Sequence, residues 1–221
     1  MLYQRSLYQS MRNHAGQMFQ LMRKNLNTLR GPVLEDAIQV LDHQNEILNR
    51  FRALLSRKIM AYRTRIHGDF HLGQVLYTGR DYVIIDFEGE PARPLTERRI
   101  KRTPIRDVAG MLRSFHYAAY TSLFGKLGSA IIRPEDVAAM EPWARIWNVW
   151  ISSTFLNSYL HHAQPGGFLP ADRESVNILL NVYLLEKALY ELGYELNNRP
   201  DWVRIPLTGI LQLLQLSETS A

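Results

Sequence analysis

At 221 residues, with 46% hydrophobic and 21% charged side chains, the chain is long enough for a sizeable core and too evenly mixed for disorder. The lack of cysteine excludes a disulfide framework, a thiolate metal site and a cysteine nucleophile, leaving His, Asp and Glu to carry any chemistry. No apolar run approaches the roughly 20 residues of a membrane span, and the amino terminus is too polar for a signal peptide. A soluble, cytoplasmic protein without a membrane partner is expected.

The formal charge of +5 is unevenly placed. Arg93, Arg98, Arg99, Lys101, Arg102 and Arg106 face a lone Glu97, and a second basic group runs from Arg50 to Arg65. Such a balance suits an anionic ligand. No aromatic residues interleave the first cluster, so it reads as a solvated loop and not as a nucleic-acid surface.

In chain order, a helix is expected from about Leu2 to Lys24, with Leu7, Met11, Met18, Leu21 and Met22 inward. After Gly31-Pro32, leucines at 34, 41, 48 and 55 predict one long amphipathic helix from Val33 to Met60, with Ile38 and Ile59 on the same stripe. His67 to Gly73 has no consistent period and reads as a loop. Gln74–Tyr77 and Tyr82–Ile85 read as two short strands joined by a turn at Thr78-Gly79-Arg80-Asp81. Residues 86–106, with Pro91, Pro94 and Pro104, form an irregular excursion.

Helical periodicity returns at Ile105, with Val108, Met111, Leu112, Phe115 and Ala119 on one face. A further helix or pair of helices covers Pro134 to Ala163, perturbed at Pro142, and its Trp143, Trp147 and Trp150 are expected to pack in the core. Pro165-Gly166-Gly167 breaks the chain. Asp172 is placed to cap a helix reaching about Leu196, and Asn197-Asn198-Arg199-Pro200 turns into a last helix ending near Leu216. There is no internal repeat.

Phosphoryl transfer needs a carboxylate to orient and deprotonate the acceptor hydroxyl, and oxygen-bearing side chains to hold Mg2+ on the nucleotide phosphates. Asp69 lies in the loop, Gln74 follows five positions later, and Asp86 closes the second strand. Antiparallel pairing with Tyr77 and Tyr82 flanking the turn puts Gln74 opposite Ile85, so Asp86 emerges beside Gln74. The spacing follows the protein-kinase catalytic loop and its D-F-G segment, with His67-Gly68-Asp69 and Asp86-Phe87-Glu88-Gly89 in their places. Gln in place of Asn keeps an oxygen ligand on a longer arm.

Taken together, His67-Gly68-Asp69-Phe70-His71-Leu72-Gly73-Gln74, Asp86-Phe87-Glu88-Gly89-Glu90-Pro91, the segment from Arg106 to Phe115, and Glu186 to Glu191 with Asn198-Arg199-Pro200 resemble bacterial maltokinases over about residues 30–210. The resemblance implies a mainly α chain, the helical carboxyl-terminal lobe of a protein-kinase-like fold with a small β-hairpin at the catalytic loop. It also implies ATP-dependent phosphorylation of maltose at the anomeric hydroxyl, and a possible fused or associated trehalose synthase. Residues 1–32 are read as an amino-terminal helical segment and 33–221 as the kinase-like lobe. No strand-borne lysine precedes Asp69, so ATP would be gripped through an amino-terminal lobe absent from this chain, which would have little activity alone.

In this reading Asp69 is the catalytic base, and Gln74 and Asp86 are Mg2+ ligands. His67 braces the loop or exchanges protons. Asp107 caps its helix or steadies the catalytic loop, Phe87 packs in the core, and the roles of Glu88 and His71 stay open. Lys187, Tyr190, Glu191 and Tyr194 fall on one helical stripe that reads as a sugar-binding wall, with Asn198 and Arg199 as lesser contributors. The alternatives are a kinase for another small molecule, such as glucosamine or an aminoglycoside, and a non-catalytic interaction domain.

Overall fold

A computed structural model describes residues 2–91, 93–125 and 132–218. In chain order the helices are α1 (Leu2–Asn25), α2 (Gly31–Asp42), α3 (Gln44–Arg52), α4 (Leu95–Arg98), α5 (Ile105–Leu123), α6 (Val137–Ala163), α7 (Arg173–Asn198) and α8 (Arg204–Glu218). Between α3 and α4 lie two strands, β1 (Val75–Tyr77) and β2 (Tyr82–Ile84), the only sheet among the described residues. No helix of the described residues is long and apolar enough to cross a membrane.

The chain divides into two compact units, Met1–Ile59 with Asn177–Ala221, and Met60–Val176. Residues on both sides of position 32 fall in the first unit. The reason is packing: α1 lies against α3, and α2 against α8, within the first unit. Leu7, Met11, Ala15, Phe19 and Met22 of α1 are buried, spaced three or four residues apart as one helix face requires. Of the residues expected inward, Met18 and Leu21 sit at the margin of that face, and Gly193 of α7 lies so close to Met18 that any β-carbon there would overlap its sulfur.

The single helix expected from Val33 to Met60 is instead two helices that end in one turn at Ala53–Leu55. The break is at His43 (φ −87°, ψ 10°), whose Nδ1 lies 2.8 Å from the Gln39 carbonyl that its own backbone N–H also uses. The heptad leucines are not the core stripe: Ala37, Val40, Ile47, Phe51 and Leu54 are buried, while Ile38 and Leu55 are exposed. Val40, Ile47 and Leu54 themselves recur every seven residues across the break, each one position ahead of a heptad leucine, so the buried stripe is the face adjoining the leucine repeat.

In the second unit α5 buries Val108, Met111, Leu112 and Phe115 as expected. It packs along α6, with Phe115 edge-on to Phe155 at 5.6 Å between ring centroids. α6 continues through Pro142 as one helix. Contrary to expectation, Trp143, Trp147 and Trp150 are 66, 48 and 76% exposed; α5 covers the opposite face of α6, the one carrying Phe155, and leaves the indoles outside. At the start of α7, Asp172 Oδ1 accepts the Ser175 N–H at 2.8 Å, the cap the sequence suggested.

Candidate active site

The site is built around a backbone loop held from two sides. The hairpin pairs Val75 with Ile84, Leu76 with Val83 and Tyr77 with Tyr82, and the Ile85 N–H donates to the Gln74 carbonyl at 3.0 Å. Gln74 is thus opposite Ile85, and Asp86 follows directly, the register anticipated from the turn. His67 ties the loop to the same point. Its Nε2 lies 2.7 Å from the Ile85 carbonyl, which only accepts, so Nε2 carries the proton. Nδ1 is then the acceptor that faces the Asp69 N–H at 3.4 Å. With both nitrogens engaged and the residue buried, His67 braces the loop. Its ring lies 5.5 Å from that of Phe70 and 5.0 Å from that of Phe87. Phe87 itself is 55% exposed, not a core residue: it emerges past the end of the hairpin and covers His67 on one side only.

Gly68 and Gly89 close the corner. Both have positive φ, +88° and +79°, and a β-carbon on Gly68 would stand 3.4 Å from Gly89 Cα. The loop that bears Asp69 and the segment that bears Asp86 therefore run backbone against backbone. Asp86 adopts φ +59°, the only positive φ at a non-glycine residue among those described. A strained carboxylate at the end of a strand is a common mark of a functional position.

From the other side α5 presents one residue per turn to the loop. The Asp107 carboxylate accepts the His67 N–H at 2.6 Å on Oδ2 and the Gly68 N–H at 2.9 Å on Oδ1. Gly110 lets the Phe70 carbonyl approach within 2.7 Å of where a β-carbon would stand, and Ser114 Oγ accepts the Leu72 N–H at 3.2 Å. Of the two roles open to Asp107, the structure gives it the loop-steadying one. Burial pushes its carboxyl above the ordinary range, against the opposing pull of the two amides, and its charge helps burial to push the Tyr159 phenol up to about 12. Gly110 and Ser114 were not singled out from sequence. The signal was there in their spacing of three and seven residues from Asp107, one helical face.

His71, whose role the sequence left open, has its Nε2 3.6 Å from Asp69 Oδ2 while its Nδ1 accepts the Gly73 N–H at 3.1 Å. Asp69 is largely shielded from solvent and Asp86 is exposed. No three His, Asp or Glu side chains gather into a metal cluster among the described residues. An amide oxygen from Gln74 and a carboxylate from Asp86, both hard oxygen donors at the open end of the hairpin, suit Mg2+ carried in on nucleotide phosphates better than a metal caged by protein alone.

The stripe on α7 belongs to the first unit. Lys187 Nζ lies 5.1 Å from the Tyr190 ring centroid, and Tyr190 stands 6.3 Å from the ring of His14 on α1. Arg199 is committed to its own surroundings. It makes a two-point pair with Glu195, at 2.9 and 2.7 Å, and stacks on Tyr194 and Trp202 at 5.3 and 4.5 Å. Asn198 Nδ2 donates to the Tyr194 carbonyl at 2.8 Å. Lys187, Tyr190, Glu191 and Tyr194 thus remain the better part of the expected wall.

No family model matches the chain. It is 31% identical over 154 residues to a glucosamine kinase of Mycolicibacterium smegmatis, covering 67% of this chain and 34% of the relative. It is 28% identical over 149 residues to a glucosamine kinase of Streptacidiphilus jiangxiensis, covering 67% and 31%. The chain thus spans about a third of the length of the curated relatives it matches. Among solved structures it superposes on a glucosamine kinase with a TM-score of 0.71 at 20% identity, over 97% of this chain and 49% of the other. A glucosamine kinase in complex with glucosamine, ADP and inorganic phosphate gives 0.69 at 20% identity, over 97% and 50%. At that identity the likeness is one of fold: the chain has the mainly helical lobe of a kinase-like fold. Those relatives and structures are glucosamine kinases, so the maltokinase resemblance stands at the coarser level of kinase-like sugar phosphotransferases.

Proposed function

We propose that this chain is the metal-holding and acceptor-binding lobe of an ATP-dependent sugar kinase, and that its acceptor is an amino sugar of the glucosamine type. The observation that supports the reading is that the backbone segments bearing Asp69, Gln74 and Asp86 are tied together, through the Gln74–Ile85 and His67–Ile85 contacts. The names of the relatives favour glucosamine over maltose, and nothing in them points to a trehalose synthase fusion, so neither maltose nor that partner is carried forward.

In this mechanism Asp69 orients the acceptor hydroxyl and takes its proton as the phosphoryl group transfers. Gln74 and Asp86 offer the oxygens that hold Mg2+, which when bound neutralises charge on the nucleotide phosphates. His67 and Asp107 fix the loop, and most of the rate comes from that positioning. ATP is gripped by an amino-terminal lobe that these residues do not supply. Taken by itself, the α7 stripe of Lys187, Tyr190, Glu191 and Tyr194 offers aromatic faces and polar groups of the kind that bind a sugar.

The test is ATP-dependent phosphorylation of glucosamine, maltose, glucose and an aminoglycoside by the chain in its full natural polypeptide, beside its Asp69→Asn variant. Glucosamine should turn over fastest, and Asp69→Asn should lose about 10²–10⁴-fold in rate. Undiminished turnover by Asp69→Asn would remove the assigned base, and faster use of maltose would reassign the acceptor.

A further inference from the structure

The outer face of α6 has no part in this chemistry. The helix has two charged side chains in its 27 residues, Glu141 and Arg145, and one side of it lies along α5. Met140, Trp143, Ile146, Trp147, Val149 and Trp150 are each between 41 and 76% exposed. A helix apolar on both sides belongs in an interior. Taking about 250 Å² for a whole indole, the six side chains expose roughly 700 Å². That exceeds the roughly 300–600 Å² of the largest patch on an ordinary monomer and approaches the ~800 Å² that each partner gives to a standard interface.

The pattern of the stripe indicates what covers it. Met140, Trp143, Trp147 and Trp150 are spaced three, four and three residues apart, the alternation by which one helix seats against another. The sequence of spacings reads the same in both directions. Turned end for end about its middle, the stripe falls on itself, Met140 opposite Trp150 and Trp143 opposite Trp147, as a two-fold interface between identical patches requires. Neither Glu141 nor Arg145 falls on it.

We propose that two copies of this chain associate through antiparallel pairing of their α6 helices, with Trp143 and Trp147 at the centre and Trp150 against Met140 of the other copy at each end. The inference does not depend on the proposed reaction. Sedimentation velocity of the whole chain over about a hundred-fold dilution should show twice the 25.7 kDa mass giving way to the monomer, with tryptophan emission moving to the red as the indoles meet water. Trp143→Glu and Trp150→Glu should each be monomeric throughout with an unchanged far-ultraviolet spectrum, because both side chains are exposed in the single copy. Tyr82→Glu, on the exposed hairpin, should keep the dimer. A wild-type monomer at every concentration, or a dimer that survives both tryptophan variants or is lost only with Tyr82→Glu, would overturn the proposal.

Discussion

Asp107 holds the backbone of Gly68: Oδ1 accepts the Gly68 N–H at 2.9 Å while Oδ2 accepts that of His67. The residue before Asp69 is thus fixed by a carboxylate from the first turn of α5. Burial raises the Asp107 pKa above its ordinary 3.8, so the native state binds this proton more readily than the unfolded chain does. Between the unfolded and the raised folded pKa the native state carries more protons, and stability from this group falls as pH rises through that window. Asp107→Asn keeps one oxygen acceptor and leaves the other amide without one, at about 1–2 kcal/mol. The urea midpoint of the wild type should exceed that of the variant most at about pH 4, the gap narrowing as pH rises. A gap that widens with pH would contradict the assignment. The turnover of the full polypeptide should fall with Asp107→Asn through a loosened Asp69, in kcat more than in KM.

Asp86 combines a strained backbone with a proposed ligand oxygen. At φ +59° a side chain costs about 1–2 kcal/mol relative to glycine, less for Asp than for most residues. Asp86→Gly should therefore raise the stability of the chain, by up to about 1 kcal/mol, while abolishing Mn2+ binding followed by electron paramagnetic resonance in the presence of nucleotide. Asp86→Ala should lose both. A stabilised variant that still binds the ion would show that the strain serves something other than the metal.

The division between what the sequence made legible and what it hid follows the range of the interactions. The hairpin register and the Asp172 cap depend on residues a few positions apart or on a two-residue periodicity, and both were readable; the brace from His67 to Ile85 joins residues 18 positions apart, and only the likeness of the loop to a kinase catalytic loop suggested it. The break at His43 was hidden because a heptad of leucines persists across it, and periodicity carries no information about a local competition for the Gln39 carbonyl. The tryptophans of α6 were assigned to the core because spacing shows that residues share a face but not what that face meets. Gly110 was equally silent, since a glycine inside a helix declares a close approach only once its neighbour is known.

Arg199 was expected to help bind sugar, and the structure gives it another task. Glu195 is 1% exposed and is paired at two points by the Arg199 guanidinium. Removing that guanidinium takes away the two-point partner of a buried carboxylate, a loss on the order of 3 kcal/mol. Arg199→Ala should lower the free energy of unfolding by that amount in a urea melt, and Arg199→Lys should recover part of it but not the planar pairing. If Arg199→Ala is as stable as the wild type while the KM for the acceptor rises, the residue belongs to the binding wall after all.

Two glycines in helix interiors make a matched pair. Gly16 on α1 has nothing within 4 Å of where a β-carbon would stand, whereas at Gly110 on α5 the Phe70 carbonyl oxygen is 2.7 Å away. Replacing a helical glycine by alanine ordinarily gains about 0.5–1 kcal/mol by restricting the unfolded chain, and Gly16→Ala should show that gain in a urea melt. At Gly110 the same methyl meets backbone that cannot swing aside. Either α5 or the loop must shift, at a cost of about 1–3 kcal/mol, and because Phe70 follows Asp69 the displacement reaches the proposed base. Gly110→Ala should therefore be destabilised and lose phosphotransfer in the full polypeptide, with Gly16→Ala unchanged in rate. Equal stabilisation of the two variants would mean that α5 does not hold the loop as closely as the structure has it.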